Sequence, residues 1–174
     1  MANKQSNTCS ALLQDGTFTV TGTINCQLPA EVIYQSLIDY ERLPEVFRNV
    51  ESCTVQRNQD DGSIRLLQMV MWKFLIFRGS FVTELEVVED AEAYELSFKL
   101  LKSAFMREFV GTWKVDKENM GNCTIRHTIS VDPAVKPPQR IGDITKHIFE
   151  TQVRGILDDL SNELALKCDQ TNAF

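Results

Sequence analysis

Arg107 and His127 are the side chains best placed to do chemistry, because each interrupts a row of residues that is otherwise apolar. The odd positions from Phe105 to Val115 read Phe, Arg, Phe, Gly, Trp, Val, and those from Ile125 to Val131 read Ile, His, Ile, Val. Alternation of this kind marks strands with one face turned inward. Both polar groups are therefore expected to point into an apolar interior, where they could orient the polar head of a greasy molecule or polarise a carbonyl. A plainer alternative also fits the pattern: a hydrogen-bonded core histidine, and an arginine at the rim paired with a carboxylate. Tyr94 is a third inward polar candidate, and His147, one residue before Ile148, reads as a boundary position.

Other routes to catalysis find little support. The chain has no G-x-S-x-G, P-loop, G-x-G-x-x-G or H-E-x-x-H motif. Its two histidines have no spacing that suggests a metal centre, which would need both of them together with carboxylates from distant strands. Cys123 and His127 share strand parity but lie about 13 Å apart on an extended chain, beyond direct proton transfer. Glu84, Glu86, Glu108 and Asp116 fall on the outward parity of their strands. No catalytic residue, metal ligand or cofactor is assigned.

Composition narrows the class further. With 174 residues, 43% hydrophobic and 24% charged, the chain has the makeup of one globular domain with a core large enough to hold a cavity. The net charge of −6 argues against nucleic acid, whose phosphates call for clustered Lys and Arg. Five scattered cysteines without a CxxC pair support neither a disulfide framework nor a zinc site, and fit a reducing, intracellular compartment. The start Met1-Ala2-Asn3-Lys4-Gln5-Ser6 lacks the apolar stretch of a secretory signal, so export is not expected. The most hydrophobic run, Leu66 to Phe77, is broken by Gln68 and Lys73, so no membrane span is expected.

The elements that position these residues follow from periodicity. Residues 1–14 read as a flexible arm, 15–167 as one domain and 168–174 as a flexible tail. A first strand starts at Gly16. Pro29 to Phe47 forms two short helices joined at Asp39, and six more strands follow between Glu51 and Asp132, separated by short turns. A long amphipathic helix, roughly Pro138 to Leu166, closes the chain; Pro137 and Pro138 start it and Ile141, Ile144, Ile148, Val153, Ile156, Leu157, Leu160 and Leu164 mark its apolar face. The expectation is an α+β fold: a seven-stranded curved antiparallel sheet around a helix on the order of 40 Å long.

Several segments carry a family resemblance. Leu28-Pro29-Ala30-Glu31-Val32-Ile33-Tyr34, then Asp39-Tyr40-Glu41-Arg42-Leu43-Pro44, then Phe109-Val110-Gly111-Thr112-Trp113, and finally Val131-Asp132-Pro133 ahead of the last helix resemble START-like proteins of the polyketide cyclase/dehydrase and coenzyme Q-binding group. The resemblance spans about residues 16 to 166, and because similar stand-alone domains are common in cyanobacteria and in plastids, it implies cytoplasm or plastid as the compartment. It implies a helix-grip fold whose internal cavity takes a hydrophobic ligand, such as a lipid or isoprenoid quinone. Phe47-Arg48-Asn49 departs from it, with Arg48 where the group often has proline. On this reading Phe98, Phe109, Trp113, Ile144 and Ile148 supply apolar walls, while Arg107 and His127 orient a polar head. Access to the cavity is expected at the Asp39-Tyr40 elbow. The expected protein is a monomeric binder or carrier of a hydrophobic small molecule, with transient membrane-surface contact and no assigned protein partner. A polyketide or terpenoid cyclase, and an assembly factor with a collapsed cavity, stand as alternatives.

Overall fold

Asp15 and Gly16 turn the chain with both φ angles positive, 52° and 84°, the geometry of a two-residue hairpin. They join β1 (Thr8–Gln14) to β2 (Thr17–Cys26) in antiparallel register, Gln14 opposite Thr17. The computed structural model describes residues 7–74, 77–118, 121–135, 138 and 141–171. Within them β1 corrects the expected strand count: residues 8–14, read as part of an arm, form an eighth strand that half-buries Cys9, Ala11 and Leu13 and turns Leu12 outward.

From β2 the chain passes through α1 (Ala30–Leu37), a 3-10 turn at Tyr40–Arg42 and α2 (Leu43–Val46) to the far edge of the sheet. It then meanders back through β3 (Val50–Arg57), β4 (Ile64–Phe74), β5 (Phe77–Asp90), β6 (Glu95–Ser103), β7 (Met106–Lys117) and β8 (Cys123–Pro133), and β8 pairs with β2. The sheet order is β1-β2-β8-β7-β6-β5-β4-β3, antiparallel throughout. α3 (Gly142–Thr171, 30 residues) is about 45 Å long at 1.5 Å per residue and lies across the concave face. It runs past Leu166 to Thr171, where a tail was expected. Pro137, named as a helix start, lies outside the described residues.

α3 buries Thr145, Phe149, Val153, Leu157, Leu160 and Leu164 against the sheet. Each large apolar side chain of this kind contributes about 1.5–3 kcal/mol. Gly22 of β2 permits the close approach. A Cβ at this position would stand 2.2 Å from Leu157 Cδ1, so the seating of helix on sheet depends on its absence. At the start of α3 the sequence expectation was out of phase. Ile144 is 56% exposed and Ile148 half-buried, while Thr145, fully buried, returns its hydroxyl to the Ile141 carbonyl at 3.0 Å.

Candidate functional site

A row of residues crosses the concave face in register: Gly22 on β2, His127 on β8, Trp113 on β7 and Leu96 on β6. The His127 and Trp113 rings stack with centroids 3.6 Å apart and planes 10° from parallel. His127 Nδ1 lies 2.8 Å from the Thr112 carbonyl oxygen. A carbonyl can only accept, so Nδ1 carries the proton and Nε2 of the neutral ring keeps its lone pair. Burial, partly opposed by the Thr112 carbonyl, pushes the imidazole down to about 4 from its ordinary 6.5. His127 is thus neutral at physiological pH.

His127 and Trp113 form part of the wall of a cavity of about 110 Å³ between the sheet and α3, together with Phe98 and Phe109. Four of the seven residues expected at a ligand site are therefore brought together. Arg107, Ile144 and Ile148 are not. Arg107 is exposed and donates from Nη2 to the Ala134 carbonyl at 3.0 Å. The cause is a register shift between Met106 and Glu108 in the β7–β8 pairing: a bulge at Arg107 inverts side-chain parity, turning Met106 inward and leaving Phe105 60% exposed. Ile148 edges a separate groove of about 510 Å³ between α3 and the β3–β4 edge. Tyr94 is also corrected. At φ 50° its hydroxyl donates to Glu31 Oε1 at 2.6 Å on the outer surface, beside Lys117 Nζ, and this pair holds the Glu31 carboxyl down to about 2.

The polar groups that do face the cavity are ones that strand alternation does not single out. Gln68 and Thr83 are cross-strand partners on β4 and β5, 7% and 2% exposed, and both border the cavity with Asn49. Thr83 Oγ1 and Asn49 Oδ1 are buried with no hydrogen-bond partner among the described residues, and Gln68 Nε2 has only a weak bond to Cys53 Sγ at 3.6 Å. A buried polar atom left unpaired costs about 1–3 kcal/mol. The break that Gln68 makes in the apolar run 66–77 was the available signal. Trp72 and Met106 stand between this cavity and an apolar surface groove of about 370 Å³, since both line each of them.

The elbow expected to open is tied down. Tyr40 is 2% exposed and donates its hydroxyl to Glu89 Oε1 at 2.6 Å. Arg48 donates its backbone N–H and Nε to the Asp159 carboxylate of α3 at 3.0 and 2.6 Å. Burial raises all five thiols above their ordinary value, Cys26 to about 11, which favours the protonated form. Among the described residues no cluster of His, Cys, Asp and Glu could hold a metal ion, and no helix is long and apolar enough to cross a membrane.

An antiparallel sheet gripping one long C-terminal helix over an apolar cavity defines the START-like, helix-grip class. The backbone resembles that of a START superfamily protein from Mycobacterium smegmatis (17% identity, 84% of this chain and 96% of that one, TM-score 0.71). It is also similar to the ZhuI aromatase/cyclase of a Streptomyces species (12%, 88% and 94%, TM-score 0.65) and to a major latex-like protein from Panax ginseng (13%, 87% and 97%, TM-score 0.61). At these identities the likeness is one of fold alone. By sequence, the chain belongs to the family described as polyketide cyclase/dehydrase and lipid transport, which matches residues 17–165. No curated protein matches it in sequence.

Proposed function

We propose that this protein binds and carries a hydrophobic small molecule bearing one or two oxygen atoms, of the lipid or isoprenoid quinone class, in the cavity between sheet and α3. The observation that carries this reading is the pairing of apolar walls with buried polar atoms that lack partners among the described residues, Thr83 Oγ1 and Asn49 Oδ1. Binding sites of this type are mostly apolar with a few placed polar groups. A ligand hydroxyl would donate to His127 Nε2 or Asn49 Oδ1, and a ligand carbonyl would accept from the Thr83 hydroxyl. Phe98, Phe109 and Trp113 would enclose the apolar body. A longer ligand would pass between Trp72 and Met106 into the apolar groove, so those two side chains act as the inner gate. The open cavity supports this reading over an assembly factor with a filled centre.

The chain has only two tryptophans, and both border the cavity. Titration with an isoprenoid quinone or a fatty acid, read by tryptophan emission, should give a saturable 1:1 change that His127→Gln weakens. Emission that drifts without saturating for every apolar ligand class would overturn the proposal. A cyclase acting on a poly-keto substrate is the second reading, favoured by the neutral, buried His127 as a proton acceptor. No Asp, Glu, Lys or Arg among the described residues lines the cavity to act with it. Product formed from a poly-β-keto substrate by the native protein and abolished in His127→Gln would establish it.

A further inference from the structure

The two ends of the sheet carry their cations differently. At the elbow end each is matched: Arg57 with Glu89, Lys114 with Glu95, Lys117 with Glu31 and Arg126 with Asp116. At the other end β4 meets β5, β6 meets β7, β8 stops and α3 starts. There Lys73, Arg78, Lys102, Arg107 and Lys146 are in no ion pair with the described residues. Asp15, Glu51, Glu108 and Asp143 are exposed carboxylates at this end, and Glu51 accepts a hydrogen bond from the Ser80 hydroxyl.

The same end exposes large apolar side chains: Phe105 at 60%, Val135 at 78% and Ile144 at 56%. Phe105 is propped outward with its ring 4.8 Å from that of Phe81, a consequence of the bulge that turns Met106 inward. Phe105 and Val135 flank the apolar groove, whose inner wall, Trp72 and Met106, is also the wall of the cavity.

We propose that this end docks on lipid bilayers bearing anionic headgroups, with Phe105 and Val135 entering the interface and the unmatched Lys and Arg side chains meeting the phosphates. Apolar wedges and cations acting together are what interfacial binding requires. The inference rests on the carrier reading for its purpose, because it sets the gate between cavity and groove against the membrane. It commits to a bilayer because unmatched cations beside wedges suit an anionic surface, whereas a second copy of this chain would bring like charges together.

The test is co-sedimentation of the purified protein with phosphatidylcholine vesicles, with and without phosphatidylserine. Binding should be roughly ten-fold or more tighter to the anionic vesicles and should fall at high salt. Phe105→Asp and the double reversal Lys102→Glu/Arg107→Glu should each abolish the preference with an unchanged thermal melt. Lys114→Glu/Arg126→Glu, at the elbow end, should leave it intact. Equal binding to both vesicle types, no effect of the Lys102/Arg107 reversal, or a concentration-dependent dimer in light scattering that Phe105→Asp dissolves would overturn the proposal. Vesicle binding is read without a cavity ligand, so its failure would leave the tryptophan titration, and the carrier reading, standing.

Discussion

His127 ties the interior of the site to a quantity that can be measured without knowing the ligand. Its folded-state imidazole titrates near 4 against 6.5 in the unfolded chain, because burial disfavours the charged ring. A base whose folded value is depressed binds protons preferentially in the unfolded state, so stability rises with pH through the window between the two values. From pH 7.5 down to 6.5 this group costs only a fraction of a kcal/mol, its slope reaching half the full value at 6.5. Between 6.5 and 4 it removes about 1.4 kcal/mol per pH unit, a total of about 3 kcal/mol by pH 4. Carboxylates titrate over part of the same range, so the informative quantity is a difference. Urea denaturation of the native chain and of His127→Gln, whose amide can still donate to the Thr112 carbonyl, should show the native-minus-variant stability difference falling by about 3 kcal/mol between pH 7.5 and pH 4. For a chain of this length the matching change in melting-temperature difference is roughly 6–12 °C. Parallel curves across that range would refute the argument, since they would mean that the histidine is hydrated or already charged.

Two further substitutions test the geometry around the site. Gly22→Ala places a methyl group in Leu157 Cδ1 and should cost about 1–3 kcal/mol in urea denaturation; added to Leu157→Ala it should cost almost nothing, and simple additivity would contradict the contact. Thr83→Val removes a buried hydroxyl that has no partner among the described residues and should raise the stability of the ligand-free protein by about 1 kcal/mol while weakening quinone or fatty acid binding in the tryptophan titration. A loss of stability on that change would show that the hydroxyl is satisfied.

Much of this architecture was legible in the sequence, and the places where it was not have local physical causes. Period-two alternation located Phe98, Phe109, Trp113 and His127 on the concave face because β6 and β8 keep regular parity through those residues and β7 does so from Phe109 onward. It failed at Arg107 because a bulge adds one residue without a compositional mark, and every side chain before it changes face. The last helix was read from its isoleucines, yet its first turns bury Thr145 and Phe149 instead of Ile144 and Ile148. A threonine that hydrogen-bonds its own helix can occupy an apolar face, and hydrophobicity alone misses it. β1 was hidden by its weak alternation, although Asp15-Gly16 is a strong hairpin signal. Gln68 and Thr83 could not be assigned to the cavity without the pairing that sets them opposite each other.

The most direct measurement is native mass spectrometry of the protein after incubation with a total lipid extract, run beside Val70→Phe. Val70 borders the cavity, and the larger ring should fill the space with little loss of stability, since the usual penalty for overpacking arises only where no room exists. The expected result is a discrete added mass of lipid or quinone size on the native chain, recovered by denaturing extraction, and a bare mass for Val70→Phe. A bare mass for both proteins would contradict the account.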